Sequence, residues 1–241
     1  MIRDHESATA TDLHVRRDSR NGKHLAQPER RAIRGIRWTT GAVFAVIVGG
    51  IVCWHSGLKY RFMPKRFGVV EPGRIYRSGQ ISKWQIGGVL DRHEIRGIVD
   101  LNGRDPGDEH QQAEIEAARR RGISVKRFGL DGRGIGDLRC YADVLQEMDR
   151  AERKKLPLLV HCHAGSSRTG AAVAFYRLLI QKWSGKDALQ EMRSYGWRPH
   201  ETRRLIRFMN ANMKPLAKLL VQRGVLKAIP ERIPHLDPST E

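Results

Sequence analysis

The stretch LPLLVHCHAGSSRTG, residues 156–170, holds the residue types that could do chemistry. An apolar run ends at His161 and Cys162, five residues follow, and Arg168, Thr169 and Gly170 close the stretch. The five are His163, Ala164, Gly165, Ser166 and Ser167, all small apart from the histidine. Such residues let successive backbone N–H groups turn toward one point, which at the start of a helix makes an anion-binding nest. Arg168 adds a planar guanidinium whose parallel donors match phosphate oxygens. The same positive field stabilises a thiolate at Cys162, the form of cysteine that acts as a nucleophile. The implied chemistry is attack of sulfur on the phosphorus of a bound phosphate. The Thr169 hydroxyl is placed to donate to the sulfur when it leaves.

This chemistry needs a strand that ends at Cys162 and a helix that starts near Arg168. The flanking pattern predicts both. GRIYRSGQ (73–80), RGIVDL (96–101), ISVKRF (123–128) and LPLLVHC (156–162) read as short strands bounded by glycine or polar residues. Ser82 with Gln85 makes a capping pair that predicts a helix through about Glu94. DEHQQAEIEAARRRG (108–122) predicts a helix closed by Gly122. Asp137 caps another, with Leu138, Tyr141, Leu145 and Met148 on one face. TGAAVAFYRLLIQKW (169–183) is apolar on nearly every side, so it predicts a central helix. Helical patterns over about 185–195 and 200–224 complete the chain. This alternation predicts an α/β fold, a central, mostly parallel sheet flanked by helices on both faces. In such sheets ligands bind beyond the carboxyl ends of the strands, where Cys162 sits.

His161-Cys162-(HAGSS)-Arg168-Thr169-Gly170 resembles the H-C-x5-R-[ST]-G signature of the cysteine-dependent protein tyrosine phosphatase superfamily. The resemblance implies Cys162 as nucleophile and Arg168 as the phosphate-binding, transition-state-stabilising residue. It implies Thr169 as the hydroxyl that assists breakdown of a phosphocysteine, and His161 as a support for the loop. It also implies a general acid, in the dual-specificity branch an aspartate about thirty residues before the cysteine. Asp131, in FGLDGRGIGDL, lies 31 residues upstream; Asp137 lies 25 upstream and reads better as a helix cap. GRIYRSGQIS and GIVDLNGRDPGDEHQQAEIEAARRRGI resemble the opening segments of bacterial dual-specificity-like phosphatase domains. The likeness covers roughly residues 69–195. Arg77, Ser78 and Arg104 either border the pocket or serve the fold.

Other chemistries fit less well. His161, Cys162 and His163 are adjacent on an extended strand and face alternate sides, so they do not share a metal ion. The G-x-x-x-x-G-K-[ST] phosphate loop is absent, and a rhodanese-type sulfurtransferase explains less of the HC…RTG pattern. No metal or other cofactor is expected. The three cysteines, Cys53, Cys140 and Cys162, have no regular spacing, which excludes a disulfide scaffold. Cys140 could form a protective disulfide with Cys162, although a packed helical position suits it better. A catalytically silent module that recruits phosphorylated partners needs no acid residue, so Asp131 favours an enzyme.

The net charge of +18 suits anionic partners. It is spread along the chain, +4 over residues 1–37 and +14 over 59–241. Zinc-finger, RNP-like and basic-leucine patterns are missing, so nucleic acid is not expected. The loop interior carries no lysine, unlike the basic loops of phosphoinositide phosphatases, which shifts weight toward phosphoproteins, phosphotyrosine above all. Phosphorylated lipid or inositol substrates stay open, and nothing bears on oligomeric state.

Residues 38–58 contain no Asp, Glu, Lys or Arg. As a helix they would span roughly 30 Å, the thickness of a hydrocarbon core. Trp38 and Trp54 sit near its ends, with Arg37 and Lys59 outside them. The expected organisation is a polar, disordered tail (1–37), a single transmembrane helix (38–58), a basic linker (59–68) and a phosphatase-like domain with a C-terminal helix (69–241). Five Lys/Arg in residues 23–37 against four in 59–73 slightly favour an inside N-terminus, with the domain exported.

Overall fold

In the computed structural model, which describes residues 43–52 and 63–237, the four strand-like runs become strands and a further strand precedes them. These are β1 (Gly68–Glu71), β2 (Ile75–Gly79), β3 (Gly97–Asp100), β4 (Ser124–Arg127) and β5 (Leu158–Cys162). They form one sheet in the order β1-β2-β5-β3-β4. Only β1 runs antiparallel to its neighbour; the β2–β5, β5–β3 and β3–β4 pairings are parallel. The strand that ends at Cys162 is therefore central and wholly buried.

The helices of the domain are α1 (Ile86–Arg92), α2 (Glu109–Arg120), α3 (Leu138–Lys154), α4 (Ser167–Phe175), α5 (Gly185–Ser194) and α6 (Pro199–Gln222). The last turns of α4 widen into a π-helix over Tyr176–Ile180. Side chains alternate across a strand, so β5 feeds two cores. Leu158, Val160 and Cys162 join the apolar cluster of α3, α4, α5 and α6. Leu159 joins the smaller cluster of α1 and α2 on the other face. Cys162 and His161 thereby serve opposite sides of the sheet, as strand geometry requires.

Two expectations change, and a third falls largely outside the described residues. Ser82 accepts backbone bonds from Gln85 and Ile86, but as a turn: α1 starts four residues later, at Ile86. The basic stretch 59–68 is not all linker. Its residues 63–68 belong to the domain, where Gly79 N–H donates to the Lys65 carbonyl and β1 begins at Gly68. Of the expected span 38–58, only 43–52 is described, a helical stretch with exposed apolar side chains; the remainder lies outside the described residues, as do 1–37. Among the described residues no helix is long and apolar enough to cross a membrane.

Candidate active site

The loop 163–166 leaves the end of β5 and enters α4 at Ser167. Ser166 precedes that helix without a side-chain cap, so first-turn N–H groups stay available for an anion. The Gly165 N–H donates to Cys162 Sγ at 3.1 Å, so this loop amide turns inward on the sulfur. Gly165 has φ +76, and a Cβ there would stand 2.5 Å from the Gly79 nitrogen. Only glycine lets the loop lie this close to the end of β2. Arg168, half-buried in the first turn of α4, donates to the Leu101 carbonyl at 3.2 Å. Thr169 is fully buried, and its Oγ1 has no hydrogen-bond partner among the described residues.

His163 is placed differently from its neighbours. Its side chain is exposed, and its N–H donates to Asn102 Oδ1 at 2.6 Å, so that amide is engaged away from the nest. Asn102 in turn donates to Gln80 Oε1 at 2.7 Å. The segment after β3 thus touches both ends of the loop, through Asn102 at His163 and through Leu101 at Arg168. Asn102 escaped sequence reasoning. Its only signal was its position just beyond the carboxyl end of a predicted strand.

Asp131 lies exposed at the start of a tight turn, and its Oδ1 accepts from the N–H groups of Arg133 (3.0 Å) and Ile135 (2.7 Å). This turn packs on the start of α4, just after the loop: a Cβ on Gly134 would stand 3.3 Å from the Ser167 carbonyl. Tyr141 OH donates to the Gly134 carbonyl at 2.5 Å and fixes the turn from below. Burial pushes the Tyr141 phenol up, and the charges of Asp131 and Cys162 push it further while Arg168 opposes them. One phenol therefore feels all three groups. Asp137 is elsewhere engaged: it caps α3 by accepting from Arg139 N–H, which holds its carboxyl below the usual range. Arg104 is exposed, Ser78 is buried, and Cys140 and Cys162 are both free thiols.

Behind the loop, on the α2 face, four charged groups meet. His161 Nε2 lies 2.7 Å from Glu114 Oε2, an ion pair rather than an aligned hydrogen bond, and Nδ1 lies 4.0 Å from Asp100. Arg127 reaches Asp100 (3.0 Å) and Glu114 (3.3 Å). Asp100, Glu114 and His161 have the residue types of a metal site. The Arg127 guanidinium, however, already supplies both carboxylates with positive charge. Burial disfavours a charged His161, but Glu114 and then Asp100 outweigh it and lift its pKa from 6.5 to about 9. Because the folded value is the higher one, the native state holds the proton more tightly. That stabilisation is complete below pH 6.5 and is lost as pH rises through about 9. Urea unfolding of the full chain should show stability falling across this window, and Glu114→Gln should remove most of the fall. A wild-type profile flat across the window would refute a charged His161.

A buried cysteine at a strand end, a loop amide turned onto its sulfur and an arginine in the next helical turn are the features of cysteine-dependent phosphatase domains. The model of the tyrosine phosphatase family matches residues 62–219, and the chain belongs to that family. Over 54 residues it is 43% identical to the dual specificity protein phosphatase TpbA of Pseudomonas aeruginosa. That match spans 22% of this chain and 24% of TpbA, about a quarter of the relative's length. The crystal structure of P. aeruginosa TpbA superposes with a TM-score of 0.53 at 22% identity, covering 66% of this chain and 91% of that one. The core catalytic domain of the PP-IP phosphatase SIW14 from S. cerevisiae gives 0.53 at 19%, covering 68% and 95%. Identities this low speak for the fold alone.

Proposed function

We propose that the protein is a phosphoric monoester hydrolase that works through a phosphocysteine on Cys162. The observation that carries this reading is the Gly165 N–H directed at Cys162 Sγ at the mouth of an uncapped helix whose first turn holds Arg168. In the first step Sγ forms a bond to phosphorus, the ester P–O bond breaks, and Asp131 gives its proton to the departing oxygen. Arg168 and the inward N–H groups of Ala164, Gly165, Ser166 and Ser167 hold the equatorial oxygens. In the second step Asp131 takes a proton from water, the water oxygen attacks phosphorus, and Sγ leaves with Thr169 donating to it. His161 supports the loop from the opposite face of the sheet.

The favoured substrate is a phosphorylated protein, phosphotyrosine above all, because the loop interior HAGSS carries no lysine. A phosphorylated lipid or inositol is the second reading, favoured by the +18 charge and by the PP-IP phosphatase among the fold relatives. The uncharged segment 38–58 would hold the domain at a bilayer, with the slight basic excess before it favouring an exported domain. Washed membranes from cells that express the full chain should hydrolyse a phosphotyrosyl peptide with a kcat/KM at least about tenfold above that for a phosphoinositide, a gap worth about 1.4 kcal/mol. Activity confined to the soluble fraction would sink the anchor, and the reverse preference would sink the phosphoprotein reading.

A further inference from the structure

The proposed nest works only if its amides point inward, and the outward side of the loop shows what turns them. A trans peptide sets each carbonyl opposite the N–H of the next residue. Three successive carbonyls of the loop are held from outside. His163 O accepts from Gln80 N–H at 3.1 Å. Ala164 O accepts from Arg66 Nη1 at 2.8 Å. Gly165 O accepts from Arg77 Nη2 at 3.1 Å. The N–H groups of Ala164, Gly165 and Ser166 must then face the other way. The Gly165 N–H on Cys162 Sγ belongs to the same peptide unit that Arg66 holds by its carbonyl.

Two of the three outer donors are guanidiniums, which does more than orient. A charged donor on a carbonyl polarises the peptide and strengthens its N–H as a donor. Arg77 is fully buried in β2, stacked at 3.8 Å on the Tyr195 ring, and its Nε and Nη1 have no hydrogen-bond partner among the described residues. A buried arginine with unused donors is costly and calls for a reason. Burial lowers its pKa only to about 10, so it stays cationic at neutral pH. Arg66 sits at φ 49, a strained backbone for a side chain of its size, with its guanidinium wedged against Gly196.

We propose that Arg66 and Arg77 are positioning residues, a two-guanidinium brace that holds the Ala164 and Gly165 carbonyls outward so that the following amides bind phosphate. Neither touches the substrate. The brace rests on the phosphatase reading above. It also makes residues just after the segment 38–58 part of the loop's scaffold.

Inorganic phosphate is the probe, measured by calorimetry and as a competitive inhibitor of aryl phosphate hydrolysis by the full-length chain. Arg66→Met and Arg77→Met should each weaken phosphate binding by about tenfold, as the loss of a charged hydrogen bond to the loop implies. KM should rise accordingly, while Arg66→Lys, which keeps one charged donor, should recover most of the affinity. Thermal midpoints separate this from unfolding: Arg66→Met should bind weakly with its midpoint nearly unchanged. If Arg77→Met fails to fold, Arg66→Met and Arg77→Lys decide the matter. Folded variants that bind phosphate within about twofold of wild type, a difference of about 0.4 kcal/mol, would overturn the brace alone. A wild type that neither binds phosphate nor hydrolyses the ester would overturn the catalytic reading and the brace with it.

Discussion

Cys162→Ser should lower aryl phosphate turnover by roughly 10⁴-fold or more while inorganic phosphate still binds. Serine keeps the shape of the site, and the Gly165 N–H that now meets sulfur at 3.1 Å would meet a hydroxyl. What it loses is a soft, polarisable sulfur that can attack phosphorus and leave it again. Binding should survive because the donors proposed to hold phosphate, the loop amides and Arg168, belong to other residues. Phosphate titration and single-turnover assays of wild type and variant in parallel separate the two effects. A variant within about tenfold of wild type, a barrier change near 1.4 kcal/mol, would mean that the sulfur is not the nucleophile.

Asp131→Asn should cost about 10²–10³ in kcat, the usual worth of a positioned general acid. The structure makes this substitution a narrow one. Asp131 Oδ1 accepts from Arg133 and Ile135, and an asparagine oxygen can accept both bonds. The turn that packs Gly134 on Ser167 should therefore persist, and the proton alone is removed. Leaving-group dependence should steepen, because poor leaving groups need the proton most. Unchanged kcat with an unchanged leaving-group dependence would remove Asp131 from the mechanism. Asp137 would not inherit the role easily, since its carboxylate is held by the first turn of α3.

How far the site could be read from residue order follows from the range of its contacts. Cys162, Arg168 and the small residues between them act within ten positions, and strand–loop–helix geometry is local. The pattern in 156–170 therefore carried the chemistry without help from the rest of the chain. The period-two alternation of β5 likewise implied that His161 and Cys162 face opposite sides, and they do. Asp137 was legible as a cap because a cap acts two residues along its own helix. By contrast, the Ser82–Gln85 pair misled by four residues, since a capping pattern and an isolated turn share the same short-range bonds.

The groups that aim and charge the loop come from far away in the chain. Arg66 reaches Ala164 across 98 positions, Arg77 reaches Gly165 across 88, and Asn102 reaches His163 across 61. Glu114 and Asp100 meet His161 only because α2 and β3 pack beside β5. No local spacing encodes such meetings. An arginine in IYRSG reads the same whether it lies in solvent or under a phosphate loop. Its partner is set by parallel pairing of β2 with β5, which brings Gly79 opposite Cys162. Residue types and short spacings state a reaction because chemistry needs a few groups within a few ångströms. Which distant residues orient those groups is a property of the folded sheet, where packing free energy, summed over the whole core, chooses the neighbours.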